Sequence, residues 1–381
     1  MKSLTRLLLL LVLAAAAPAA LPPRPALAQD LFVSDLNSIF RFDAATGAPK
    51  PSAGNAGALF VSSIVAPTSS TSNFAFGPDG NLYVGTYDDL SVLRYSGQTG
   101  AFIDTFIPAG SGKLNRPTHL EFGMDGNLYV SSNALIGAES LYNSINRYAG
   151  PESETPGEPL PGGTHPGAIF IPGLVLGDPE QTIYPLRFTF GTDGDLYVED
   201  VFPVMAGTGP PRIVRYDGET GAFLSSFLGP ASTGADMNGL AFGADGRLYV
   251  AFGGQGIQRY DLAAQAWSSF VTPGALSFFD ELAFGPDGHL YVSGMDADQN
   301  SLIARYDGQT GTYVDTFLSP GAGGWTRSGP LAFGYGLGSA SPPAIPESGT
   351  LGLLALPAAI WGLRRRFADD RGRWRKTGER A

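Results

Sequence analysis

The sequence predicts an all-β fold, a six-bladed β-propeller, and three observations predict it. An apolar triplet recurs six times, as LFV at Leu31 and as LYV at Leu82, Leu128, Leu196, Leu248 and Leu290. A Phe-Gly pair also recurs six times, at Phe76, Phe122, Phe190, Phe242, Phe284 and Phe333. The triplets are spaced 42 to 68 residues apart, which is the range of propeller blades.

One unit, FAFGPDGNLYVGTYDDLSVLRYSGQTGAFIDTFI from Phe74 to Ile107, shows how each blade is built. It reads as four strands: Phe74–Gly77, Leu82–Thr86, Val92–Tyr95 and Ala101–Ile107. Asp79-Gly80 and Gly97-Gln98-Thr99-Gly100 supply tight turns, because glycine reaches positive φ without a steric penalty. Strand alternation sends Leu82 and Val84 to one face and Tyr83 to the other. A sheet apolar on both faces needs cover on both sides, and flanking blades provide it. The outer strand carries Asp104, with Asp315 as its counterpart, and a charged edge discourages strand-to-strand aggregation.

The first triplet has no Phe-Gly strand before it, and the last Phe-Gly strand, in GPLAFGYG, has no triplet after it. Pairing Leu331–Gly334 with Leu31–Ser34 closes the ring into six complete sheets. With no cysteine in the chain, this split blade is the clasp, and disulfides and thiol chemistry are excluded.

Composition agrees with a folded, turn-rich protein. The 381 residues include 52 Gly and 30 Pro, while hydrophobic residues make up 43%. The net charge of −11 excludes a nucleic-acid partner for the globular part.

Both termini read as targeting segments. Residues 1–28 have Lys2 and Arg6, an apolar run from Leu7, and small residues up to Ala28, so cleavage is expected between Ala28 and Gln29. The propeller is assigned to residues 29–336 and a linker to 337–345. In the segment 346–381, Ser348 to Leu363 is uncharged and apolar and is followed at once by Arg364, Arg365 and Arg366. As a helix those residues would span ~24 Å against ~30 Å of hydrocarbon, with the arginines snorkelling and held on the cytoplasmic side. Setting aside residues 1–28 and 364–381 removes eleven basic residues and only three acidic ones, so the propeller itself is strongly acidic.

Pro346 and Glu347, the apolar helix 348–363 and the arginine cluster, in that order, resemble a PEP-CTERM sorting signal. Ser348 stands where that signal usually has a second proline, Pro357 interrupts the helix, and the tail to Ala381 is longer than usual. The resemblance implies an exosortase-type processing enzyme and a transient anchor in the inner membrane of a Gram-negative-type bacterium. It also implies display at the cell surface or release into an exopolysaccharide-rich matrix. The phrases PDGNLYV, DGRLYV and RPTHLEFGMDGNLYV resemble NHL-type repeats, which implies a six-bladed propeller and leaves function open.

Repetition separates architecture from candidate sites. Arg41, Arg94, Arg147, Arg215, Arg259 and Arg305 each precede an aromatic residue in a third strand and read as structural pairing. The once-only residues lie four before each Phe-Gly phenylalanine, at the channel mouth: Ser72, Thr118, Leu186, Asn238, Asp280 and Gly329. Asn238 and Asp280 resemble metal-binding positions of gluconolactonase-type propellers, and Thr118 with neighbouring His119 completes the candidate mouth. That set lacks the glutamate and second asparagine which such enzymes use. His165 falls in the insertion Pro151 to Gly167, expected to be a mobile loop, and His289 in an ordinary turn. The second-to-third strand loops offer Asp88, Asp89, Glu139, Glu199, Asp200, Asp296 and Asp298, oxygen donors suited to Ca²⁺. Asp88, Asp89, Asp296 and Asp298 are the metal candidates among them.

The expectation is an exported, non-catalytic propeller that needs no cofactor and binds exopolysaccharide or a surface protein, touching membrane only through its C-terminal helix. The alternative is a metal-dependent lactonase, other hydrolase or lyase of the gluconolactonase type.

Overall fold

The computed structural model describes residues 29–64, 71–133, 143–162, 165–173, 183–201, 203, 209–229 and 237–335. The signal segment with Ala28, loop residue Glu139, the linker, and the sorting segment with Pro346, Glu347, Arg364, Arg365 and Arg366 lie outside these residues.

The described chain is a ring of six four-stranded antiparallel sheets. β1 (Gln29–Ser34), β2 (Ile39–Asp43) and β3 (Leu59–Val61) belong to blade 1. Blade 2 holds β4 (Thr71–Phe76), β5 (Leu82–Thr86), β6 (Ser91–Tyr95) and β7 (Phe102–Ile107). Blade 3 holds β8 (Pro117–Phe122), β9 (Leu128–Ser132), β10 (Ser144–Tyr148) and β11 (Ile169–Pro172). Blade 4 holds β12 (Pro185–Phe190), β13 (Leu196–Asp200), β14 (Arg212–Tyr216) and β15 (Phe223–Leu228). Blade 5 holds β16 (Met237–Phe242), β17 (Leu248–Phe252), β18 (Gly256–Asp261) and β19 (Ala266–Val271). Blade 6 holds β20 (Phe278–Phe284), β21 (Leu290–Met295), β22 (Ser301–Tyr306) and β23 (Tyr313–Leu318). The last strand, β24 (Leu331–Tyr335), returns to blade 1 and gives it the order β24–β1–β2–β3.

That return is the expected clasp. Leu331 pairs with Val33 and Phe333 with Leu31, and the Trp325 indole, fully buried, donates to the Ser34 carbonyl at 3.2 Å.

The repeated residues explain how the blades adhere. Each LYV tyrosine is buried and meets the Phe-Gly phenylalanine of the next blade edge to face. Tyr83–Phe122, Tyr129–Phe190 and Tyr197–Phe242 have centroids 4.9 Å apart, and Tyr249–Phe284 and Tyr291–Phe333 have them 5.0 Å apart. Phe32 and Phe76 make the corresponding contact for the clasped blade, with tilted rings 4.7 Å apart. Such pairs contribute about 0.5–1.5 kcal/mol each beyond the area they bury. Each tyrosine hydroxyl donates to the aspartate of its own turn, as Tyr83 does to Asp79 at 2.9 Å, so no buried phenol is left unmet there. Gly77 is glycine because a Cβ would lie 2.6 Å from the Tyr83 ring.

The repeated arginines lie over aromatic rings. Arg41 sits 4.7 Å from the Phe60 centroid, Arg94 5.2 Å from Phe106, Arg147 4.6 Å from Phe170, Arg259 5.3 Å from Phe270 and Arg305 5.2 Å from Phe317. Arg94 also pairs with Asp104 and Arg305 with Asp315, so the acids of the outer edges have partners inside their own blades.

The insertion after β10 departs from the expected mobile loop. Ala149 donates to the Glu158 carbonyl, Gly157 to Ala149 and Leu160 to Arg147, each at 2.9 Å. Its Pro-Gly content makes turns that fold the segment back along its own strand.

Candidate functional site at the channel mouth

The inner strands β4, β8, β12, β16 and β20 each carry a register shift near their start. A bulge sets two residues against one and re-aims the side chains there. The shifts fall at Ser72, Thr118, Leu186–Arg187, Asn238 and Asp280–Glu281. The side chains that meet across the ring therefore sit one residue later than the spacing suggested: Asn73, His119, Arg187 and Glu281, with Gly239 between the last two.

The expected mouth residues mostly hold backbone. Asn238 donates its amide to the Phe279 carbonyl at 2.9 Å. Thr118 donates to the Leu186 carbonyl at 3.3 Å and accepts from the Asn133 amide at 2.7 Å. His119 has Nδ1 3.1 Å from the Asn73 amide nitrogen and Nε2 4.0 Å from Glu121, and its ring lies edge-on to Phe188 at 4.9 Å. Ser131 is register-paired with His119, but its buried hydroxyl has no hydrogen-bond partner, so no Ser-His pair forms there.

Arg187 dominates the centre. Its guanidinium lies 3.4 Å from Glu281, on blade 6, and 3.6 Å from fully buried Glu199 on its own blade. It also approaches the Met237 carbonyl of blade 5 at 3.5 Å. Gly239 leaves the passage for this pair, since a Cβ there would stand 2.8 Å from the Glu281 Oε1 and 2.9 Å from the Asp280 carbonyl. Burial pushes the Glu281 carboxyl above its ordinary range, against the pull of Arg187 and His119. Burial likewise raises Asp280, opposed by Arg187, a hydrogen bond from Ser328, and Arg327. Burial disfavours the Arg187 charge, yet Glu199, Glu281 and Asp280 together hold its proton more tightly than usual.

Glu199 and Asp200 are not rim ligands as expected. Both lie at the end of β13, fully buried, and Asp200 pairs with Arg212 at 2.8 Å and accepts from the Tyr184 amide at 2.8 Å. Asp296 caps its own turn, accepting from the Asp298 and Asn300 amides at 2.9 Å each, and these bonds hold its carboxyl low. Asp298 lies in that blade 6 turn, while Asp88 and Asp89 follow β5 on blade 2. Among the described residues no group of three or more His, Asp or Glu side chains converges as a metal site. At the mouth itself the donor set does not fit a divalent cation: the Arg187 charge faces Asp280, and Asn238 has only its carbonyl oxygen left.

No protein-family model and no curated protein matches this chain. Among solved structures, it is similar to a protein of unknown function from Bacteroides caccae, with 13% identity over 81% of this chain and 99% of the other and a TM-score of 0.52. It is similar also to a chain of a nidogen/laminin complex, with 17% identity over 80% of this chain and 98% of the other and a TM-score of 0.52. At these identities what is shared is the fold, and the fold is that of a six-bladed β-propeller.

Proposed function

We propose that the chain is an exported, non-catalytic propeller of NHL-like repeats, a binding module of the cell surface or matrix sorted by an exosortase-type enzyme. The observation that carries the non-catalytic reading is the Arg187–Glu281 pair, 3.4 Å apart across the channel. A metal-dependent hydrolase would need that position for a cation, and a fixed guanidinium repels one. The mouth acids are neutralised from within, which suits a rigid scaffold whose loops do the binding.

Export rests on the sequence. Among the described residues no helix is long and apolar enough to cross a membrane, and the proposed span, Ser348 to Leu363, lies outside them. The reading is tested by producing the full chain in an exosortase-bearing Gram-negative cell and weighing the product. Surface or medium material should begin at Gln29 and lack the segment beyond about Pro346, and replacing Pro346 and Glu347 should retain the protein in the membrane. Exterior protein still carrying Arg364 to Ala381 refutes sorting by cleavage.

A further inference from the structure

Beside the channel, the mouth face carries a cation that the ring does not neutralise. Arg116 leads into β8, and its guanidinium makes no ion pair or hydrogen bond with any described residue. Its contact is the face of Tyr87, 5.5 Å away, from the blade 2 loop. Its backbone is held at φ +21°, a conformation few L-residues adopt, so the chain is strained to place it there. The Tyr184 hydroxyl, at the entry to blade 4, lies within electrostatic reach of both Tyr87 and Arg116. Asn133 ties the junction together. It is 2% exposed and donates to Thr118 at 2.7 Å and to the Pro185 carbonyl at 2.8 Å, yet its own carbonyl oxygen is buried without a partner.

We propose that Tyr87, Arg116 and Tyr184, drawn from three blades and braced by Asn133, form a binding site for a uronate-bearing glycan. The proposal rests on the binding-module reading above and names the ligand class. A half-buried guanidinium with no carboxylate of its own takes a carboxylate in a two-bond fork. Flanking tyrosine rings take the C–H face of a pyranose, while buried Asn133 holds the junction through its bonds to Thr118 and the Pro185 carbonyl. An acidic protein partner suits the site less. Among the described residues, apart from Leu36 and Met124, the large exposed apolar side chains lie on the outer strands (Phe102, Ile103, Leu224, Leu228, Tyr313, Val314), so the described part of the mouth shows few apolar anchors of the kind protein interfaces use. The acidity of the whole domain opposes any anion, but beyond about 8–10 Å that repulsion is screened at physiological salt, and the adjacent guanidinium prevails.

The test is calorimetric titration of the full chain with galacturonate, mannuronate and glucuronate tetrasaccharides, and with cellotetraose as the neutral control. At least one uronate should bind saturably, about tenfold or more tighter than cellotetraose, as one charge-assisted pair implies. Arg116→Ala and Tyr87→Ala should each weaken it at least tenfold, with thermal unfolding unchanged. Arg116→Lys, which keeps charge but loses the fork, should fall between. The proposal is overturned by no saturable binding to any uronate, by equal binding of cellotetraose, by binding that survives Arg116→Ala, or by a polyglutamate peptide competing at equal affinity. Chain analysis of the titrated tetrasaccharides separates the two readings: binding with cleavage keeps this site and refutes the non-catalytic function, whereas intact sugars without binding refute the site alone.

Discussion

Arg187 on blade 4 and Glu281 on blade 6 meet at 3.4 Å across a channel position that blade 5 leaves open with Gly239. An ion pair that skips a blade joins three consecutive sheets, and it depends on a missing Cβ as much as on two charges. Arg187→Met would leave Glu199 and Glu281 facing each other without a counter-charge, a loss of about 3–5 kcal/mol. Gly239→Ala should cost about 1–3 kcal/mol by crowding the Glu281 carboxylate. Urea unfolding checks both, and combining Arg187→Met with Glu281→Gln should recover part of the loss. An Arg187→Met protein as stable as the parent refutes the structural role of the pair.

The pH dependence follows from the same acids. Burial raises Glu281 and Asp280, so the folded state holds these protons more tightly than the unfolded chain does. Their contribution is fullest below the ordinary carboxylate range and is lost as pH rises through the raised values. Asp43 works in the other direction. Hydrogen bonds from Lys50 and Thr46 hold it at about 2, so it favours folding above its ordinary value and that contribution fades as pH falls towards 2. Stability measured across a pH series should therefore decline from mildly acidic conditions towards neutrality, and less steeply in Glu281→Gln. Identical slopes in the two proteins would contradict the assignment.

Closure by β24 is testable by deletion. Removing Ser328–Gly336 uncovers β1, whose Leu31, Phe32 and Val33 are fully buried, and opens the ring. The shortened protein should lose cooperative unfolding in calorimetry. A transition as sharp as the parent's would mean that the split blade is not the clasp.

The strands and the clasp were legible because the repeat writes the same physics six times: LYV for a doubly covered strand, Asp-Gly for its turn, Phe-Gly for the joint to the next blade. The channel was legible only to within one residue. Counting back from each Phe-Gly pair gives Ser72, Thr118, Leu186, Asn238 and Asp280, but the bulges beside them do not appear in the spacing, and they bring Asn73, His119, Arg187 and Glu281 together instead. Asking which residues are unique among the blades at the next position finds all four. Glu199 and Asp200 look like loop residues in the sequence because two acids ending an apolar strand resemble a solvated turn. Their burial follows from Arg187 and Arg212, one on another strand and one across a long loop, which sequence distance conceals.

A mouth neutralised from within, as proposed, would hold no catalytic cation, and sugar-lactone hydrolysis tests this most directly. Initial rates with and without added Ca²⁺ should stay at background for the protein, for Asp280→Ala and for Asp88→Ala alike. Ca²⁺-stimulated turnover that Asp280→Ala abolishes and Asp88→Ala retains would contradict the account and make this propeller an enzyme.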